Sequence, residues 1–270
     1  MIDIETIDWN EAWQQKKRVK YPTARSALSR DKRAPSFAAH SVKTGYAEAF
    51  FRIVNPKRSW AVFDMACGAG TLALTFARHV KSITAVDFSD GMLEILRRKC
   101  EQTGISNIRI VNGSREDDWG KAGIGLHDVV IASRSLVVDN LRPAIEKLHS
   151  FARRQVYIST IVGDGPHDRR LFNAVGRELK AGPEYIYNYN LLYQMGICAN
   201  VDFITERNRA TYKSPRDAFI SQQWMFDDMT PKEELKLESY LKKHLVFSEG
   251  HWTLDYQRTI KWAVIWWNKE

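Results

Sequence analysis

The sequence has few cysteines, no long apolar run and no low-complexity segment. Its three cysteines, Cys67, Cys100 and Cys198, are widely spaced and fit no metal-ligand pattern, so we expect free thiols and no metal site. No apolar stretch approaches the ~18 residues that a membrane-spanning helix needs. The first residues, MIDIETIDWN, also lack the basic and then apolar order of a secretory signal. These absences predict a cytoplasmic protein with no membrane partner.

Positive charge is in excess, because the 270 residues carry a formal net charge of +8. The basic residues are dispersed apart from the segment from Lys16 to Arg33. Such a segment indicates either a solvated arm that covers a substrate or an arm that binds RNA. We favour the first interpretation, since basic segments usually just face water.

Short apolar runs alternate with helical periods between residues 60 and 161. This alternation predicts right-handed βαβ crossovers and a parallel sheet with helices on both faces. Asp90 is expected to cap the helix after the second strand, and Gly104 to end it. The predicted strands are 60–65, 82–87, 107–111, 127–132 and 155–160.

The pattern changes after residue 160 and becomes mainly helical, with a short extended piece at 199–205. The runs LVFSEGHWTLDY and RTIKWAVIWWN are separated by only a few residues and predict an antiparallel pair. The simplest organisation is a single domain over residues 1–270, with a cap or lid drawn from about 1–45 and 163–240. Helices are predicted at 168–181, 184–196, 214–224 and 231–244.

The stretch VFDMACGAGTLAL, residues 62 to 74, carries the strongest chemical signal. Gly68, Gly70 and Ala73 satisfy the spacing of a dinucleotide site. However, the carboxylate of Asp64 would repel a pyrophosphate at the helix N-terminus by a few kcal/mol. S-adenosylmethionine has no phosphate and carries an ammonium and a sulfonium, so Asp64 would attract it. Asp87 ends the second strand and can accept both ribose hydroxyl protons, as an acid does in either kind of site.

Four segments together resemble a known family. FDMACGAGTLAL, AVDFSDGMLEILRRK, VNGSREDDW and HDVVIASRSL are similar to the first four motifs of class I S-adenosylmethionine-dependent methyltransferases. The resemblance covers roughly residues 42–161 and the terminal strand pair. It implies an α/β, Rossmann-like, seven-stranded sheet that is mostly parallel, with the last strand antiparallel.

The resemblance also implies where the cofactor lies. The methionine part would lie over the loop from Ala66 to Gly70, and the methyl group near Ser133. Phe88 and Met92 would lie beside the adenine face. Family members often place an acid at the adenine amino group where this chain has Ser114, so that contact would pass to Ser114, Arg115 or a backbone group. The predicted cofactor-binding residues are Asp64, Ala66, Cys67, Gly68, Gly70, Asp87, Phe88, Met92, Ser114, Arg115 and Ser133.

The acceptor is less well defined by the sequence. We expect a small molecule, because the fourth strand ends in IASRS instead of the N-P-P-Y type of loop that stacks a flipped base. Methylation of tRNA or rRNA is the alternative that the charge favours, and a non-catalytic S-adenosylmethionine-binding protein is another. No catalytic residue is identified, although His40 and His167 are candidate bases, and Cys67 is expected to pack rather than to act as a nucleophile.

Three further features each have two interpretations. Arg134 would bind an acidic acceptor or pair with a nearby carboxylate. The residues Tyr185, Tyr189 and Tyr193 are four apart and would form one helix face, for packing or around a substrate. The tryptophans near the end would form a core or an oligomer interface; they are Trp262, Trp266 and Trp267.

Overall fold

The computed structural model describes residues 6–20, 45–208, 210–226 and 228–269. Most of the basic segment, from residue 21 onward, and the candidate base His40 lie outside these ranges. The chain divides into two compact units. The first unit comprises Met1–Ile161, Gly182–Ile204 and Trp262–Glu270, and the second comprises Val162–Ala181 and Thr205–Lys261.

Helices and strands alternate along the first half of the chain and mix along the second. The helices are α1 Trp9–Lys20, α2 Tyr46–Val54, α3 Thr71–Ala77, α4 Asp90–Thr103, α5 Leu141–Ser150, α6 Arg169–Val175, α7 Tyr185–Gln194, α8 Pro215–Gln222 and α9 Pro231–His244. The strands are β1 Ala61–Met65, β2 Ser82–Asp87, β3 Ile108–Asn112, β4 His127–Ser133, β5 Ala152–Ile161, β6 Asn200–Asn208, β7 Thr211–Tyr212, β8 Leu245–Ser248, β9 His251–Leu254 and β10 Arg258–Asn268.

A seven-stranded sheet with the order β3-β2-β1-β4-β5-β10-β6 forms the centre of the fold. The five strands from β1 to β5 pair in parallel, as the alternating pattern predicts. Strand β10 is antiparallel to β5, with Val264 opposite Ser159. The prediction of a Rossmann-like, mostly parallel sheet whose last strand is antiparallel is therefore confirmed.

The predicted pairing of the last two strand-like runs is wrong. The first run forms its own hairpin, β8 with β9, in a separate three-stranded sheet of the order β7-β9-β8. Glu249 and Gly250 close this hairpin as a two-residue turn, with φ values of 53° and 78°, which is the type of turn whose twist suits paired strands. Strand β10 instead pairs with β5, because its residues Trp262 to Ile265 are all buried and need a central position.

Side chains of β5 alternate between two packed faces, as those of any strand do. Val156 and Ile158 lie in the core cluster that α5 and α7 also enter. Tyr157 points the opposite way, with its ring 6.3 Å from that of Phe50 on α2, which in turn contacts Phe76 on α3. Helices thus cover both faces of the sheet, as predicted.

The start of α4 differs from the expected cap. Ser89, not Asp90, is the N-cap residue, and its hydroxyl accepts a hydrogen bond from the Met92 amide at 3.2 Å. Ser89 has the extended backbone that an N-cap requires, whereas Asp90 is already helical and accepts from Asn112 Nδ2 at 2.6 Å. Gly104 ends the helix with φ 66°, as predicted.

The region predicted as a cap is shared between the two units. Helix α6 is shorter than the predicted 168–181, because Gly176 ends it at φ 88°. Helix α7 belongs to the first unit, whereas α6, α8 and α9 pack in the second unit around Leu171, Phe219 and Leu237. That these elements form a lid, and that residues 1–270 act as a single domain, stay predictions.

Of the tryptophans near the end, Trp262 and Trp267 are core residues and Trp266 is half-buried. Trp262 is 7% exposed and Trp267 fully buried, while Trp266 stacks on Tyr157 with ring centroids 5.7 Å apart. Of the two interpretations, these residues therefore support the core. Within the described ranges, none of the helices combines the length and apolarity required to cross a membrane.

Candidate functional site

The loop between β1 and α3 has the most unusual backbone of the first unit. Ala66, Gly68 and Gly70 have φ values of 58°, 55° and 80°, in the left-handed region. The Cys67 amide donates to the Val86 carbonyl of β2 at 3.0 Å, and the Gly70 amide donates to the Cys67 carbonyl at 3.0 Å. The loop is therefore a tight turn that is fastened to the carboxyl end of the neighbouring strand.

The two glycines of this loop have different reasons to be glycine. A Cβ atom at Gly70 would lie 2.3 Å from Leu96 Cδ1, so this position lets α4 pack against the loop. A Cβ atom at Gly68 would meet no atom within 4 Å. Gly68 therefore leaves open space above the turn, where a ligand can approach the backbone.

Asp64 is buried in β1 directly before the loop. It is 3% exposed, and its Oδ2 has no hydrogen-bond partner among the described residues. Burial raises the pKa of this carboxyl to about 7, and the negative charge of Asp87 adds to the rise. The Ala73 amide and the positive charge of Arg134 lower the pKa in part. An unpartnered buried carboxylate is costly, so a cationic or hydrogen-bond-donating ligand would relieve it.

Asp87 connects the ends of β1 and β2. Its Oδ2 accepts from the Gly68 amide at 2.8 Å and its Oδ1 from the Ser89 amide at 3.0 Å. Each carboxylate oxygen can accept a second hydrogen bond, so Asp87 can still receive a pair of hydroxyl protons. The structure thus brings Asp64, Gly68 and Asp87 together at one edge of the sheet.

Met92 and Phe88 flank the same edge. Met92 is 9% exposed and packs against Ala69 of the loop, with Ile95 beside them. Phe88 is half-buried directly after Asp87. Both residues follow β2, and their contact with an adenine ring stays a prediction.

Ser114 and Arg115 form hydrogen bonds within the loop after β3, and Arg115 also reaches the segment after β4. The Ser114 amide donates to Asp117 Oδ2 at 2.7 Å, and its hydroxyl accepts from the Glu116 amide at 3.2 Å. The Arg115 guanidinium binds Glu116 Oε1 at 2.8 Å and the Ser135 carbonyl at 2.9 Å. Asp117 is a carboxylate that sequence reasoning missed, and the EDD run in the third motif was the available signal.

Lys147 of α5 holds this loop in place and was also missed. Its Nζ donates to the carbonyls of Arg115 and Asp117, each at 2.5 Å, and lies 4.2 Å from the centroid of the Trp119 ring. Burial lowers the pKa of the lysine, while Asp117 raises it in part. Helix α5 therefore fixes the loop that follows β3.

Ser133 belongs to a cluster of three hydroxyl groups at the ends of β4 and β5. The Tyr46 hydroxyl lies 2.8 Å from Ser133 Oγ and 2.6 Å from Ser159 Oγ, and the two serine oxygens are 3.2 Å apart. Tyr46 is fully buried at the start of α2. Sequence reasoning predicted Ser133 but missed Tyr46 and Ser159.

Arg134 follows this cluster in a strained conformation. Its φ of 56° is unusual for a residue with a side chain. Its amide donates to both the carbonyl and the hydroxyl oxygen of Ser159, each at 3.0 Å. The guanidinium carbon lies 4.1 Å from the centroid of the Tyr46 ring and 5.5 Å from that of Trp262. Among the described residues it forms no ion pair within 4 Å, but its charge acts on Asp64 and lowers the pKa of that carboxyl, so both interpretations of Arg134 stay open.

The two other sequence candidates described here are Cys67 and His167, and both have packing contacts. Burial and the charges of Asp64 and Asp87 raise the pKa of the Cys67 thiol, which disfavours the thiolate that a nucleophile needs. His167 lies in the second unit, against Phe172 and Trp224. Among the described residues, no group of three or more His, Cys, Asp or Glu side chains could hold a metal ion.

The tyrosines of α7 mainly pack. Tyr185, Tyr187 and Tyr189 contact the core cluster, and the Tyr187 ring meets Trp9 edge-on at 5.8 Å. Tyr193, predicted to share a face with Tyr185 and Tyr189, is 60% exposed. Of the two interpretations of this run, packing is the one with contacts in its support.

Comparison with known proteins adds information about ancestry. A family model described as a methyltransferase domain matches residues 62–156. A protein of uncharacterised function from Haemophilus influenzae is 33% identical over 241 residues, which make up 88% of this chain and 88% of that relative. The matched residues run from β1 into β5 and include Asp64, Asp87 and Ser133, whereas Tyr46 and Ser159 lie outside the match.

Shorter matches join the same region to proteins with named activities. An uncharacterised RNA methyltransferase from Clostridium acetobutylicum is 30% identical over 124 residues, 44% of this chain and 26% of the relative. A probable cobalt-precorrin-6B C(15)-methyltransferase from Methanocaldococcus jannaschii is 30% identical over 77 residues, 27% of this chain and 42% of the relative. The names of these two relatives indicate acceptors of different classes, and each match covers less than half of either chain.

The fold has counterparts among solved structures. The YcgJ protein from Bacillus subtilis superposes with a TM-score of 0.55 over 86% of this chain and 99% of its own, at 14% sequence identity. At this identity the likeness concerns the fold alone.

Proposed function

The chain belongs to the class I S-adenosylmethionine-dependent methyltransferase family, and from this premise we propose that it transfers the methyl group of S-adenosylmethionine to a small-molecule acceptor. The cofactor would lie at the carboxyl ends of β1 and β2. Asp64 would face its positive charge, the turn at Gly68 would lie under its methionine part, and Asp87 would accept from the ribose hydroxyls.

The unpaired Oδ2 of Asp64 is the observation that carries this proposal. A diphosphate would bring negative charge next to a buried carboxylate that already has Asp87 beside it, at a cost of a few kcal/mol. A ligand with an ammonium group and a sulfonium would supply the missing partner. The two carboxyl groups at this edge therefore fit S-adenosylmethionine better than a nicotinamide dinucleotide.

The bound cofactor supplies an activated methyl group, so the protein needs no strong base. The side chains at this edge would hold the cofactor in one orientation, align the acceptor with the bond that breaks, and exclude water. Such alignment can lower a barrier by roughly 7–11 kcal/mol. The hydroxyls of Tyr46, Ser133 and Ser159 already bond to one another and fix the end of β4, which is a positioning role.

A small molecule is the proposed acceptor, and RNA is the second candidate. Strand β4 ends in Ser133 and Arg134 instead of the loop that stacks a flipped base, which supports the small molecule. The net charge of +8 and the named activity of the Clostridium relative favour RNA. The Methanocaldococcus relative, by its name, acts on a small molecule.

Two measurements test the proposal in turn. Calorimetry with S-adenosylmethionine, S-adenosylhomocysteine and NAD first tests the cofactor: we expect binding of the first two and none of NAD. Single-turnover reactions with methyl-labelled cofactor then offer a metabolite panel and, separately, tRNA and rRNA. Label transfer to RNA, with binding that falls steeply as salt rises, would replace the small-molecule proposal. Binding of the cofactor without any transfer would support the non-catalytic alternative.

A further inference from the structure

Arg134 has hydrogen-bonding capacity that nothing in the described structure uses. Its guanidinium carries five N–H donors, and none of them has an acceptor among the described residues. The side chain is half-buried. Its charge acts on Asp64, yet no described acceptor takes a hydrogen bond from it, so its donors are available to a ligand.

Two aromatic rings lie beside the guanidinium. The Tyr46 ring lies 4.1 Å and the Trp262 ring 5.5 Å from its central carbon, so cation–π contacts restrain it. Two hydrogen bonds from its amide to Ser159 maintain the strained backbone at φ 56°. Strain of this kind persists only where the surroundings impose it, and it concentrates at functional sites.

The position of Arg134 relative to Asp64 and Asp87 indicates which ligand its guanidinium would contact. In the sheet order β2-β1-β4, Asp87 ends β2, Asp64 lies in β1, and Arg134 follows β4. The proposed nucleoside contact at Asp87 is therefore on one side of β1, and Arg134 is on the other. Ser135, the next residue, also has a buried hydroxyl without a partner in the described structure. The Arg134 guanidinium and the Ser135 hydroxyl thus lack hydrogen-bond acceptors or donors on the β4 side of β1, which is the side that the proposed cofactor leaves for an acceptor.

The charge of the neighbourhood limits the kind of anion. Asp64 and Asp87 place two carboxyl groups near the same edge, so a dianionic phosphate group would meet more repulsion than a monoanion. A planar guanidinium matches a carboxylate through two parallel hydrogen bonds. We propose that Arg134 binds a carboxylate group of the methyl acceptor, which makes the acceptor a carboxylic acid. This inference rests on the proposed function.

The test compares matched acceptors with matched variants. The intact protein and its Arg134→Gln, Arg134→Lys and Arg153→Gln variants receive methyl-labelled S-adenosylmethionine. The panel contains hydroxy, amino and thiol carboxylic acids, each beside its methyl ester and its primary amide. Arg153 is exposed near the start of β5, at the opposite end of that strand from Ser159, so its variant controls for loss of one positive charge.

We expect the unmodified protein to prefer an acid over its ester and amide by at least about tenfold in kcat/KM. Arg134→Gln should reduce kcat/KM for the acid by at least about tenfold, mainly through KM, and leave the ester and amide within about threefold. Arg134→Lys should recover part of the preference, because it restores charge without the planar fork. Arg153→Gln should behave as the unmodified protein. A merely structural role would lower activity toward all three forms alike.

Three results would overturn the inference. The first is equal use of acids and their uncharged derivatives. The second is transfer to no acid of the panel by a protein that binds S-adenosylhomocysteine. The third is a loss of at least about tenfold in the affinity of Arg134→Gln for S-adenosylhomocysteine, with no such loss for decarboxylated S-adenosylhomocysteine. The guanidinium would then bind the carboxylate of the cofactor. Failure of the unmodified protein to bind S-adenosylhomocysteine is a different result, because it refutes the proposed function itself.

Discussion

Cofactor affinity should depend on pH through Asp64. Burial raises the pKa of this carboxyl to about 7 in the ligand-free protein. A bound cation next to it favours the ionised form and lowers that pKa toward the ordinary range. The protein must therefore release a proton from Asp64 to bind the cofactor at acidic pH. Affinity is highest above the ligand-free pKa and falls as the pH decreases through it.

The size of the effect follows from the ionised fraction. At pH 8 about ten in eleven Asp64 carboxyls are ionised, and at pH 6 about one in eleven, for a pKa of about 7. If the pKa in the complex lies well below 6, the dissociation constant rises about tenfold between pH 8 and pH 6. That change corresponds to about 1.4 kcal/mol of binding free energy.

Calorimetry with S-adenosylmethionine at several pH values between 6 and 8 measures this directly, and proton uptake by the buffer provides a second reading. Asp64→Asn should bind more weakly at pH 8 and lose the pH dependence. Asp139→Asn, at a carboxylate whose side chain is 95% exposed, should retain both affinity and pH dependence. Equal affinity at pH 6 and pH 8, or a pH dependence that survives in Asp64→Asn, would refute the electrostatic reasoning.

Further predictions concern the same edge. Asp64→Asn should stabilise the ligand-free protein at pH 8 by up to about 4 kcal/mol. The Asp64 carboxyl has a pKa of about 7 in the folded protein in place of the ordinary 3.8, so its ionisation destabilises the fold once the pH exceeds 3.8, and does so in full above pH 7. In urea unfolding the gain should therefore shrink toward pH 5. Asp87→Ala should weaken S-adenosylmethionine binding at least about tenfold in calorimetry with the fold retained, and an unchanged dissociation constant would contradict the ribose assignment. Gly70→Ala should lower the free energy of unfolding in urea by about 1–3 kcal/mol, because the added Cβ clashes with Leu96. Gly68→Ala should lower the free energy of unfolding less and the affinity for the cofactor more. The reverse order would contradict the two roles.

The sequence predicted the sheet well where strands alternate with helices. The strands β1, β2 and β4 are mostly buried apolar runs, β5 has a buried apolar centre, and β3 is a half-buried strand at the sheet edge. The helices between them have apolar residues three and four apart, so each element is visible locally. The hairpin of β8 and β9 was missed because its turn uses Glu249 and Gly250, which are a weaker hairpin signal than Asn-Gly or Asp-Gly. Strand β6 was recognised only as a short piece, since Asp202 and Phe203 are both exposed and interrupt its pattern.

The candidate site divides in a similar way. Asp64, Gly68 and Asp87 follow from their places at strand ends, because parallel strands end at the same edge of a sheet. Tyr46 could not be found locally, since it reaches Ser133 and Ser159 across 87 and 113 residues of sequence. The unused capacity of Arg134 likewise depends on which acceptors surround it, and only tertiary structure determines that.

The antiparallel strand β10 has a consequence for biosynthesis. It lies between β5 and β6 in the sheet, yet its residues are made after both of those strands, and Val264 pairs with Ser159, 105 positions earlier. During translation the outer edge of β5 stays without this partner while about a hundred residues emerge. An open strand edge is a template for association with other chains. A nascent chain paused before residue 258 should therefore depend on chaperones more than the finished protein does.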